Sequence, residues 1–167
     1  MTVDRPYIAV IGAGDATATQ QATAEAVGRA VAEAGAVLVC GGLGGVMEAA
    51  CRGARQAGGT TVGILPGSDR AEANPYVDVA VATGLGEARN VLVVRGADAV
   101  VAVGGGLGTL SEIALALRAG TPVIGLDTWD LARPGAPVDG LVPVDGPAEA
   151  VALALASAAA RRQSGRD

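Results

Sequence analysis

One eight-residue phrase occurs twice in this chain, each time at a joint between an apolar run and an Ala-rich stretch of helical character. Gly41 to Glu48 reads GGLGGVME, Gly105 to Glu112 reads GGLGTLSE, and the shared pattern is GGLGxxxE. The first copy follows Ala36-Val37-Leu38-Val39-Cys40, and the second follows Ala99-Val100-Val101-Ala102-Val103 and Gly104. A third turn, Gly12-Ala13-Gly14-Asp15, follows the apolar run Tyr7 to Ile11. Strand, glycine turn, helix is the arrangement that aims backbone N–H groups at an anion. Three such turns in 167 residues imply one ligand held at several points.

The rest of the chain alternates in the same way. Apolar runs at Thr60 to Ile64, Tyr76 to Ala82 and Val123 to Leu126 predict further strands. Helices are expected at about Thr19 to Ala34, Val46 to Ala57, Gly86 to Arg95, from the second glycine turn to Arg118, and from Pro147 to about Ala160. The strand runs are continuously apolar rather than alternating, which is the mark of strands covered on both faces. The fold class is therefore α/β, a doubly wound Rossmann-like parallel sheet with helices on both faces. One domain over 1–160 is expected, with 161–167 a flexible C-terminal tail and Asp127 to Gly140 a polar, Pro-rich connection carrying the lone Trp129. Ligands of such sheets sit at the strand carboxyl ends, near the switch in strand order, where all three glycine turns fall.

Composition narrows the chemistry. Half the residues are apolar, yet aromatics make up 2% and Phe is absent, so Ala, Val, Leu and Ile must build the core. The chain contains no Lys and no His. That excludes a Walker A loop, a pyridoxal-phosphate Schiff base, Ser-His-Asp and Cys-His catalysis, and any His-based metal site. No metal site of the protein's own is expected. A net charge of −5 argues against nucleic acid and anionic membranes as partners. No segment is long and apolar enough to span a bilayer, so a cytoplasmic protein is expected. Cys40 and Cys51 form no CxxC pair and read as buried free thiols.

The candidate ligand-binding residues are Gly12, Gly14, Gly41, Gly42, Gly44, Gly45, Gly104, Gly105, Gly106, Leu107, Gly108 and Thr109. Glycines permit positive φ and let a phosphate approach the backbone. Thr109 is placed to cap its helix or to donate its hydroxyl to the anion. Arg89 sits near the start of its helix, where a cation opposes the macrodipole and is better explained by a ligand. The alternative is a surface Arg paired with Glu87. Asn90 adds an amide. Glu112 is unhelpful to phosphate binding as such, so it either serves a second purpose at a sugar or complements the helix dipole; Glu48 fits the dipole role. The Leu65 to Pro75 loop reads either as a segment that closes over a ligand or as an ordinary solvated connection, and Asp127 with Trp129 either borders the crevice or serves packing or an interface. Val91-Leu92-Val93-Val94 is apolar all round a helix, which implies burial on two sides and hence a homodimer, or a dimer of dimers.

These residues resemble the Lonely Guy (LOG) superfamily, also labelled lysine decarboxylase-like, and its shorter branch of molybdenum-cofactor carrier proteins. The resemblance spans about Tyr7 to Leu126. LOG enzymes carry PGGxGTxxE, matched here by Gly104 to Glu112 with Gly104 in place of Pro. Their MHxRK motif corresponds to Gly86-Glu87-Ala88-Arg89-Asn90, which keeps Arg89 and looks more like the carrier branch. The resemblance implies either of two functions. One is binding of a nucleotide or phosphate-bearing cofactor, molybdenum cofactor or an AMP-like ligand, without turnover. The other is a phosphoribohydrolase that cleaves a cytokinin-like nucleoside 5′-monophosphate to free base and ribose 5-phosphate, with Arg89 and Glu112 catalytic.

Overall fold

The computed structural model describes residues 4–164. Its strands are β1 (Tyr7–Gly12), β2 (Val37–Cys40), β3 (Thr60–Leu65), β4 (Val79–Ala82), β5 (Ala99–Val103), β6 (Val123–Leu126), β7 (Ala132–Arg133), β8 (Ala136–Pro137) and β9 (Leu141–Pro143). The helices are α1 (Ala18–Glu33), α2 (Val46–Gln56), α3 (Asn90–Arg95), α4 (Leu107–Arg118) and α5 (Pro147–Ser164). Seven strands form one parallel sheet in the order β4-β3-β2-β1-β5-β6-β9. The chain winds outward from β1 through β4, then returns to place β5 on the other side of β1. The switch point therefore lies between β1 and β5, and the turns at Gly12 and Gly104 flank it.

Successive side chains of each strand enter opposite cores. Ile8, Val10, Leu38, Val101 and Ile124 pack under α1, α2 and α5, whereas Ala9, Ile11, Val39, Val100 and Val123 pack under α3 and α4. A chain without Phe fills this space by bringing backbones together. At Gly28 of α1 an added Cβ would fall on the carbonyl of Ala50, and at Gly53 of α2 on that of Glu25. Thr17 opens α1 with a capping box in which its hydroxyl accepts from Gln20 and the Gln20 side chain accepts from Thr17 N–H.

Several boundaries differ from those expected. The strand expected over 76–82 begins only at Val79. Asn74 Oδ1 accepts from Tyr76 N–H, and Asp78 N–H is shared between Thr61 Oγ1 and Thr61 C=O, so side chains compete for the bonds that a longer ladder would use. The single helix expected over 86–95 is a 3-10 turn, Gly86–Arg89, followed by α3. Within α3, Val93 and Val94 are buried but Leu92 stays 42% exposed, so its own core covers one side only. The polar connection after β6 contains the hairpin β7–β8 and then β9, a seventh sheet strand too short and too close to Pro143 to show a periodic pattern. The tail expected from 161 is helical through Ser164, with Arg161 donating to Ala97 C=O; residues 165–167 lie outside the described residues. Cys40 and Cys51 are free and buried, 3.4 Å apart at sulfur, and Cys40 Sγ accepts from Gly42 N–H at 3.3 Å. Their contact lowers the Cys40 pKa and raises that of Cys51. No helix among the described residues is long and apolar enough to cross a membrane.

The α1–α2 contact gives a prediction whose sign opposes helix propensity. Ala in place of Gly at an open helix position gains up to about 1 kcal/mol. Gly28→Ala and Gly53→Ala should instead each lose about 1–3 kcal/mol by overpacking. Urea unfolding checks this; a rise in stability for either variant would mean that the two helices separate freely.

Candidate functional site

The three glycine turns meet in a cavity of about 400 Å³ at the carboxyl edge of the sheet. Of the residues expected at a site, Gly12, Gly14, Arg89, Asn90, Gly106, Gly108, Thr109 and Glu112 line it. The expected Gly41, Gly42, Gly44, Gly45, Gly104, Gly105 and Leu107 are not part of that lining. Gly42, Gly45, Gly104 and Gly105 hold positive φ and shape the turns, and Leu107 turns its side chain outward, 77% exposed. Ala13, Asp15, Leu43, Met47, Pro66 and Glu87 complete the wall. Sequence reading passed over these, although Ala13 lies between two named glycines and Leu43 and Met47 lie inside the first repeated phrase.

The phosphate-facing part of such a wall is backbone. The first turn of α4 opens at Gly106 with no side-chain cap. Its leading N–H groups have no partner within the helix. Thr109 is the third residue of α4 and buried, so it does not supply the expected cap. A Cβ built on Gly106 or Gly108 meets nothing within 4 Å, so an anion has open access to the peptide groups here. In the first copy, a Cβ on Gly45 would collide with the Ala13 carbonyl, and the N–H of Val46 is already bonded to it at 3.0 Å. The two copies of the repeated phrase are therefore not equivalent. The first locks the β1 and β2 turns together, and the second leaves its amides available. Asn74 secures the first copy from the other side: its Nδ2 donates to Leu43 C=O at 2.9 Å and its N–H to Gly42 C=O at 2.8 Å. That bond anchors one end of the 65–75 loop.

Arg89 is not the surface partner of Glu87. It is 8% exposed. Its Nε donates to Asn90 Oδ1 at 2.9 Å, and its Nη1 donates to the carbonyls of Gly41 and Ile64 at the ends of β2 and β3. Nη2 has no hydrogen-bond partner among the described residues. Burial pulls the guanidinium pKa below its ordinary value, and the charges of Glu112 and Cys40 offset part of that. Glu112 is also 8% exposed and lies in the second turn of α4, beyond the first-turn dipole position. Burial raises its pKa from 4.5 to about 7, with Arg89 opposing the rise. Near neutrality this side chain is divided between carboxyl and carboxylate, which removes much of the conflict between a Glu and a bound anion. Glu48, by contrast, sits in the first turn of α2 outside the cavity wall. Among the described residues no group of three or more His, Cys, Asp or Glu is arranged to hold a metal ion.

A doubly wound parallel sheet with an uncapped glycine turn at its switch point defines a Rossmann-like α/β protein. The profile of the SLOG cluster4 family matches residues 5–151, and the chain belongs to that family. An uncharacterised protein of Archaeoglobus fulgidus is 43% identical over 150 residues, covering 90% of this chain and 95% of the relative. The solved structure of the molybdenum cofactor binding protein from the phototrophic bacterium Rippkaea orientalis superposes with a TM-score of 0.84 at 38% identity, over 93% of this chain and 98% of that one. A molybdenum cofactor carrier protein from Chlamydomonas reinhardtii superposes with a TM-score of 0.82 at 37% identity, over 93% and 99%.

The raised Glu112 pKa fixes the sign of a pH effect. Unfolded Glu112 ionises near 4.5, whereas the folded form holds its proton to about 7. Stability is therefore lost as pH rises from 4.5 to 7, by up to roughly 3 kcal/mol. Glu112→Gln should raise the thermal midpoint at pH 8 and leave it nearly unchanged at pH 4.5. Calorimetry at the two pH values checks this, and equal shifts at both would show that Glu112 ionises normally in the fold.

Proposed function

We propose that this crevice binds a phosphate-bearing cofactor without turning it over, and that molybdenum cofactor is the ligand it takes. The observation that carries the reading is the uncapped amide turn of α4 opening into the same cavity as the unpartnered Nη2 of Arg89. Amides of Leu107, Gly108 and Thr109 would receive the phosphate, with the helix dipole in support. Arg89 Nη2 would bind one of its oxygens as a charged donor. Met47 and Leu43 offer the apolar wall that a flat heterocycle needs, and about 400 Å³ is within the range of small-cofactor sites. Likeness to the binding and carrier proteins of Rippkaea and Chlamydomonas supports the choice of ligand. The residues at this site bind, orient and shield; none is asked to break a bond.

A second reading, a nucleoside-monophosphate phosphoribohydrolase, is favoured by one pairing. Arg89 and Glu112 line the same cavity, and Glu112 is held near a pKa of 7, where a carboxyl serves as acid or base at neutral pH. ³¹P NMR of the protein with AMP and an N6-modified AMP, beside Glu112→Gln, separates the two. Broadened nucleotide signals without product are the expected result. Ribose 5-phosphate formed only by the parent would establish the hydrolase and overturn the carrier reading. No broadening, no product and no binding of a pterin phosphate would remove the anion site itself. If Glu112 faces the bound phosphate, Glu112→Gln should also bind AMP more tightly than the parent at pH 8 and equally at pH 6.

We also propose that the chain forms a homodimer through the exposed side of α3, around Leu92. Light scattering should give twice the chain mass at micromolar concentration; a monomer there would refute the pairing.

A further inference from the structure

We propose that Thr128 and Trp129 are positioning residues for the phosphate loop, fixing which way its peptide groups face. The proposal rests on the reading of the crevice as a phosphate site. It begins at Asp127, the only non-glycine residue with positive φ among those described, at 47°. Asp tolerates this conformation better than most side chains, and the sharp turn brings the next two residues over the loop after β5. There Thr128 Oγ1 donates to Gly104 C=O at 2.6 Å, and Trp129 Nε1 donates to Gly106 C=O at 3.2 Å. Gly104 N–H in turn donates to Leu126 C=O at 2.9 Å.

The consequence follows from peptide geometry. In a planar trans peptide the C=O and the next N–H point in opposite directions. Holding the Gly104 carbonyl on the Thr128 side turns the Gly105 N–H away from it. The Gly106 carbonyl also accepts the first helical bond, from Leu110 N–H at 3.0 Å, so Trp129 reinforces the orientation that α4 gives to the Leu107 N–H, its first amide. Gly104 and Gly105 have positive φ, 54° and 114°, and a glycine backbone has wide conformational freedom. Without external bonds such a loop samples many orientations. Trp129 has room to turn as well, since a cavity of about 490 Å³ lies beside it, lined also by Leu131, Val138 and Val144. Packing against the core under α3 and α4 and the hydrogen bond to Gly106 together set the ring's orientation. The two side chains thus hold the donors ready before the anion arrives.

The test uses the full chain and inorganic phosphate. Amide ¹H–¹⁵N shifts of Gly105 and Leu107 follow the titration, and fluorescence of the lone Trp129 gives a second signal. Thr128→Val removes one bond, and Trp129→Phe keeps a ring but removes the other. Each should bind phosphate about three- to ten-fold more weakly, the usual net effect of a single hydrogen bond. Thr128→Ser retains the hydroxyl and should restore parent affinity. If Thr128→Val and Trp129→Phe bind phosphate as the parent does, the positioning role is overturned and the phosphate reading stands. If Thr128→Ser fails to restore binding, the hydroxyl is not the agent and the proposal falls. If the parent shows no saturable amide shift, the phosphate reading itself fails.

Discussion

A guanidinium buried at the carboxyl edge of a sheet has to find acceptors, and Arg89 finds them in the backbone. An unpaired buried charge is costly, and no carboxylate among the described residues lies within ion-pair distance of this one. Instead the carbonyls of Gly41 and Ile64 receive Nη1, and the Asn90 amide receives Nε. These bonds join the ends of β2 and β3 to the start of α3. The short 3-10 turn before Asn90 follows from the same demand, because it brings Arg89 beneath the edge rather than out to solvent. The cavity wall is therefore tied together by a buried charge bonded to three different segments of the chain.

Arg89 and Glu112 set each other's electrostatics. Each is desolvated, and each stabilises the charged form of the other. A substitution at either position therefore shifts the ionisation of the other, so single substitutions at this pair report on both residues. The amides of α4 lie outside that exchange, since they carry no net charge and do not titrate. Proton occupancy at Glu112 therefore changes the charge of the cavity without altering the hydrogen-bonding capacity of these amides.

Much of this architecture is legible in the sequence. The continuous apolar runs at 37–40, 99–103 and 123–126 foretell covered parallel strands. The glycine turns after the runs at 7–11, 37–40 and 99–103 foretell the edge where the cavity lies. Arg89 and Glu112 stand out because each is locally awkward. What escapes sequence reading is set by bonds over long separations. Nothing local in Thr128-Trp129 indicates that their donors reach Gly104 and Gly106. Nothing in Leu141-Val142-Pro143 marks a strand until β6 is beside it. The repeated phrase also misleads in one respect. Two copies of GGLG suggest two equivalent anion turns, yet the Val46 amide is committed to Ala13 while the α4 amides are free. A repeat fixes local conformation, but the neighbour across the sheet decides what its donors meet.

The glycine contact between α1 and α2 has a mechanical side. Where two helices touch backbone to backbone at Gly28 and Gly53, no layer of side chains lies between them to repack. Rotation or sliding of one would force carbonyls into the other, so the pair moves as a single stiff body with the sheet beneath it. On the opposite flank α3 and α4 meet through side chains, Val93 and Val94 with Ile113 and Ala116, so that contact can be repacked by substitution where the α1–α2 contact cannot.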